Sequence, residues 1–110
     1  MRPDEFVRFD ATGLAALVHR GEVAPLELVD AAIERIEALD GRLNAVIERS
    51  FAMAREAAAH VDRALPLPGI PFLAKDMNIA VAGLRLTASC RWLADLPPAR
   101  EDANQRWPIR

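Results

Sequence analysis

PLPGIPFLAKDMNIAVAGL, residues 66–84, is where the pattern of the chain changes. Upstream of it, apolar residues recur at spacings of three and four, the signature of one face of a helix. Downstream of Pro71, FLAK and NIAVAG read as short strands. Phe72 and Ala74 fall on one side of the first, Leu73 and Lys75 on the other. Both sides are apolar, which predicts strands covered by helices on both faces. The pattern therefore predicts an α/β protein whose helices come first and whose strands begin only after the prolines at 66, 68 and 71.

Lys75 is the anomaly in that stretch. The chain has fourteen basic residues, and all but Lys75 are arginine. Alternation places Asp76 on the opposite side of the strand, so the adjacent acid is a poor ion-pair partner. Two readings are open. In one, Lys75 ends a strand with its aliphatic stem packed and its ammonium in water. In the other, apolar surroundings disfavour the charged form and leave a neutral amine able to act as a base.

Working back from the prolines, three helical segments are expected between residues 11 and 64. Asp10 or Thr12 can cap the first, with Leu14, Leu17 and Val18 on one face and Gly21 as its stop. The second, APLELVDAAIERIEALDG, has Pro25 in its first turn and Leu26, Val29, Ile33, Ile36 and Leu39 along one stripe. Gly41 is expected to close it, and Ala24 is a weak cap. RLNAVIE (42–48) is expected to be extended. Ser50 then caps a third helix with Met53, Ala54, Ala57, Ala58, Val61 and Leu65 as its buried stripe.

Length and composition narrow the function classes. The chain has 110 residues, 52% of them hydrophobic and 27% charged, enough for one globular domain. A net charge of −2 and a pI near 5.6 provide no basic footprint for nucleic acid, and no charged block suggests a membrane surface. Cys90 is the only cysteine, so it has no internal disulfide partner, and no metal-ligand spacing surrounds it. Neither a signal peptide nor a run of transmembrane length appears, and a cytoplasmic protein is expected. Nothing calls for a cofactor or a metal. The oligomeric state is left open.

The segment GIPFLAKDMNIAVAGLRLTAS resembles the opening of the amidase signature family, serine hydrolases with a Ser–cis-Ser–Lys triad. The family pattern G-[IV]-P-x-x-x-K-D is matched at Gly69, Ile70, Pro71, Lys75 and Asp76. Upstream, LAALVHRGEVAPLELVDAAIERIEALDGRLNAVI is similar to the family's N-terminal helices and their following N-A-[FV]. The resemblance extends over residues 12 to about 103. It implies the first strands of a mixed sheet covered by helices, incomplete in this chain, with residues 1–103 forming the N-terminal part of an amidase domain. It also implies that Lys75 is the triad lysine, taking a proton from a bridging serine that activates the nucleophile for attack on a small-molecule amide.

The rest of that triad has no match. The family's G-G-S-S-G-G-S segment lies well downstream of the lysine, whereas this chain has only Ser50 and Ser89, neither beside glycine. LTASC stands where the family commonly has T-T-A-G-S, so Ser89 replaces glycine and Cys90 replaces serine. Cys90 reads as a packed thiol rather than a nucleophile. His19 and His60 sit near expected helix C-termini, where the dipole favours them, and Trp92 and Trp107 form no binding pair. NQRWPIR (104–110) lacks helical period and contains Pro108. It is expected to be a disordered tail, the product of a truncation or frame shift joined near Asn104. Three functions follow: an N-terminal fragment of an amide hydrolase, inactive alone; a glutamine-amide-hydrolysing subunit of a tRNA-dependent amidotransferase; or a non-enzymatic helical interaction module.

Overall fold

The computed structural model describes residues 1–77 and 79–100. The chain divides into two compact units, Met1–Pro71 and Phe72–Arg110. The first contains helices α1 (Pro3–Phe6), α2 (Ala11–His19), α3 (Pro25–Leu43) and α4 (Phe51–His60). Among its described residues, the second has turns and one 3-10 helix, Arg91–Leu93.

Each helix of the first unit begins and ends for a local reason. The short α1 carries Pro3 in its first turn followed by Asp4 and Glu5, a start signal that the apolar spacing alone does not reveal. Asp10 caps α2, accepting the Gly13 N–H at 2.7 Å. At the other end of α2, Gly21 N–H donates to Val18 O and Glu22 N–H to Leu17 O, both at 3.0 Å. Gly21 has φ +72°, which completes a Schellman motif. The weak cap at Ala24 is offset by Glu27, whose carboxylate accepts the Ala24 N–H at 2.8 Å.

The third helix runs past Gly41 to Leu43 and ends at Asn44, whose φ of 50° is left-handed. Asp40 secures this ending. Its Oδ1 accepts the N–H groups of Ala45 (2.7 Å) and Val46 (3.0 Å), and its Oδ2 accepts from Arg49 at 3.2 Å. Residues 44–48 consequently wrap around a carboxylate and form no extended piece. The Val46 N–H first, then the Ala45 N–H and the Arg49 guanidinium, hold the Asp40 carboxyl below the usual carboxylate range. Those donors also offset the unfavourable placement of an anion at a helix C-terminus.

Two apolar clusters share α3. Leu28 packs with Leu14, Leu17 and Val18, joined by Met1, Phe6, Val23 and Ile70. Val29 and Ile33 pack with Ala58 of α4, joined by Phe51 and Ala54. Arg55 of α4 reaches Asp30 of α3 at 2.7 Å, an exposed pair whose contribution is about 0–1 kcal/mol. The expected stripe on α4 is only partly realised. Ala58 is its one buried residue, Met53 and Ala57 are exposed, and Val61 lies beyond the helix end.

The proline segment docks on the start of α3. Pro68 is fully buried. Gly69 has φ +67°, and a Cβ there would lie 2.4 Å from Pro25 Cβ. Gly69 is thus required twice, by backbone conformation and by close approach. His19 Nε2, at the end of α2, lies 2.9 Å from Leu65 O and ties the same segment from the other side.

The expected strands are absent: no strand or sheet occurs among the described residues. The expectation of an α/β fold with the first strands of a mixed sheet is overturned: the regular structure among the described residues is helical. The physical reason is visible in the hydrogen bonds. A strand exists only by pairing, and residues 72–75 have no ladder partner among the described residues. In NIAVAG the alternation is interrupted at Gly83, where φ of 83° and a 3.0 Å bond from Leu84 N–H to Val81 O form a tight turn. Gly83 N–H to Ala99 O and Ala99 N–H to Leu84 O, each 2.9 Å, link two segments that form no strand among the described residues. Nor is the segment covered on both faces, since Phe72 is 78% and Leu73 66% exposed. The expected tail, 104–110, lies outside the described residues.

Candidate active site

The segment carrying Lys75 leaves the docked prolines and enters a turn at Asp76–Met77. Lys75 is exposed and makes no ion pair or hydrogen bond with another described residue. The exposure of Lys75 agrees with the first of its two readings only in part, because residues 72–75 form no strand for it to end.

Asp76 is not its partner. The Asp76 carboxylate instead meets residue 87, eleven positions along the chain: Oδ1 accepts the Thr87 N–H at 2.5 Å, and Oδ2 accepts the Thr87 hydroxyl. The Thr87 hydroxyl and N–H, with the N–H groups of Ser89 and Ala88, hold this carboxyl below the usual carboxylate range, outweighing desolvation. The donors come from a tight turn in which Cys90 N–H donates to Thr87 O at 2.8 Å. Its central residues, Ala88 (φ 49°) and Ser89 (φ 57°), are both left-handed. That is the conformation of a type I′ turn, normally filled by glycine or asparagine. Ser89 therefore carries a side chain in a costly conformation.

The other candidate residues take structural places. Ser50 occupies the N-cap position of α4, but its hydroxyl makes no capping bond. Ser89 is held in the turn, and Cys90 beside it is an exposed free thiol. His19 and His60 are the last residues of α2 and α4. His60 Nδ1 lies 3.0 Å from Glu56 O and 3.3 Å from Glu56 Oε1. Trp92 is 89% exposed, and Trp107 lies outside the described residues. Lys75, Asp76, Ser89 and Cys90 belong to the second unit, whereas Ser50 and both histidines belong to the first.

The Asp76–Thr87 link is not readable from spacing, because no local rule connects positions eleven apart across two turns. The only signal is indirect: an acid next to the one lysine, and a threonine in the LTASC segment.

Comparison with known proteins gives a consistent result. The family model described as Amidase matches residues 27–105. Over 101 residues the chain is 40% identical to a glutamyl-tRNA(Gln) amidotransferase subunit of Moorella thermoacetica, covering 86% of this chain and 20% of that one. It is 43% identical over 88 residues to the protein of the same name in Thermus thermophilus, covering 80% and 18%. A 6-aminohexanoate-cyclic-dimer hydrolase of a Pseudomonas species is 34% identical over 86 residues, covering 78% and 17%. The chain spans about a fifth of the length of these curated relatives.

Proposed function

The chain belongs to the amidase family, and from that premise we propose that it is the amine-bearing N-terminal part of a unit that hydrolyses the side-chain amide of glutamine. Lys75 is the base. Its neutral amine takes the proton of a bridging serine, which takes that of a nucleophilic serine, as the nucleophile bonds to the amide carbon. The C–N bond then breaks, the nitrogen leaves protonated as ammonia, and water cleaves the ester to release the acid. Both serines and the enclosure that keeps the amine neutral would come from the further length that the relatives possess.

The observation that carries this reading is Lys75–Asp76 in the segment G-I-P-x-x-x-K-D, inside the matched region. Glutamine is favoured as substrate because amidotransferase subunits reach 40% and 43% identity, although another, from Prochlorococcus marinus, is 33% identical and so no more similar than the hydrolase at 34%. Subunits of that kind act with protein partners, so a partner chain is part of the proposal. The hydrolase relative supports a second reading, a free-standing amidase for small amides.

A fusion of residues 1–100 to the downstream portion of the Moorella protein tests both. Ammonia release from glutamine that exceeds release from simple aliphatic amides supports the first reading. Turnover of simple amides with no response to glutamine supports the second. The 110-residue chain alone is expected to hydrolyse neither, because groups that act as a unit lose nearly all function when one is missing. Turnover by that chain that disappears on Lys75→Ala would refute the claim that further chain is needed.

A further inference from the structure

We infer that Asp76 is the positioning residue of this site, gathering the 87–90 turn with its carboxylate and thereby fixing the backbone that presents Lys75. The inference rests on the reading of Lys75 as the base.

Three observations lead to it. The first is the double bond between one carboxylate and one residue: Thr87 donates through both its N–H and its hydroxyl. Two donors from one residue fix the orientation of the carboxylate as well as its distance. The second is where the hold is placed. Among the described residues of the second unit there is no sheet, and the only helix is the 3-10 turn at 91–93, so no regular element immobilises residues 72–77. Lys75 is one peptide unit from Asp76, with consecutive Cα atoms about 3.8 Å apart, so anchoring that side chain limits the travel of the lysine Cα. The third is the backbone conformation of the turn. Ala88 and Ser89 both remain left-handed without being glycine, and strained residues of that kind persist only where the surroundings over-determine them. Here the two bonds from Thr87 to the Asp76 carboxylate supply the reason.

The consequence is chemical. A base that accepts a proton across a hydrogen bond must hold its nitrogen in place, and a displacement of about 1 Å can cost roughly a hundredfold in rate. In this inference Asp76 acts through the position of Lys75 and not on the substrate, so its loss should lower kcat and leave KM nearly unchanged.

The test uses the 110-residue chain for the contact and the Moorella fusion for the rate. In the chain, the Thr87 amide proton should resonate far downfield and move upfield in Asp76→Ala, with Thr87→Val giving a smaller change. In the fusion, Asp76→Ala should lower kcat about a hundredfold with KM within about twofold. Asp76→Asn keeps one acceptor for the Thr87 N–H and should recover about tenfold of that loss. Asp62→Ala, which removes the acceptor of the Ala64 N–H in another turn, should leave kcat unchanged. If Asp76→Ala does not fold, Asp76→Asn decides: an unaltered kcat overturns the inference. Full kcat in Asp76→Ala, or an unmoved Thr87 amide, overturns it as well. Activity that survives Lys75→Ala instead refutes the reading of the lysine, while the Thr87 amide signal still reports the contact.

Discussion

Gly69 and Gly21 show how one residue type is needed for different reasons. Both have positive φ, but a Cβ at Gly21 would meet nothing within 4 Å, whereas one at Gly69 would meet Pro25 at 2.4 Å. Gly21→Ala should cost about 1 kcal/mol, the conformational penalty alone. Gly69→Ala adds a clash with Pro25 and should cost about 2–4 kcal/mol. Urea unfolding of the two variants checks the order, and equal losses would contradict the close approach. At position 89 the effect runs in the opposite direction. Ser89→Gly removes a side chain from a left-handed residue and should raise stability by about 0.5–1 kcal/mol. Asp76 makes the turn sensitive to acid. Because its folded pKa is lowered, its contribution is present above the ordinary carboxylate value and is lost as pH falls through the lowered one. The Thr87 amide resonance should therefore hold constant down to the ordinary carboxylate range and titrate only below it. Movement at higher pH would contradict the contact.

At the scale of elements, the three longer helices were legible in the sequence, while the expected strands do not form, because the two are stabilised differently. A helix closes its own hydrogen bonds, so local signals such as Asp10, Gly21 and Pro25 place α2 and the start of α3 where they are found. The end of α3 is not at Gly41, because its determinant is Asp40, a helix residue whose side chain captures Ala45 and Val46 beyond the end. A strand depends on a partner that spacing within the segment cannot supply, and FLAK finds none among the described residues. The candidate site was legible in the same uneven way. Lys75 stood out by composition, while its neighbour's bond to Thr87 depended on a turn formed eleven residues on. Packing gives the matching prediction. Leu28 is fully buried against the apolar face of α2, so Leu28→Ala should cost about 2–5 kcal/mol in the same unfolding assay. Leu73, 66% exposed, should change stability by less than about 0.5 kcal/mol when replaced by alanine. Comparable losses at the two positions would show that residues 72–75 are packed after all.

For the whole molecule, the first unit has a helical core, while the second exposes large apolar side chains, including Phe72, Leu73, Met77, Trp92 and Leu96. Among the described residues no helix is long and apolar enough to cross a membrane. The chain matches about a fifth of the length of its amidotransferase relatives, and the chemical task proposed for that fifth is to present an amine. The most direct measurement is chemical rescue of the base in the Moorella fusion. Lys75→Ala should lower kcat for glutamine by about a thousandfold, within the range usual for a general base. Added propylamine should restore part of that rate in proportion to its free-base concentration, and Lys75→Arg, always protonated, should be as inactive as the alanine variant. Near-normal turnover in Lys75→Ala, with no response to the amine, would contradict the role of Lys75 as the base.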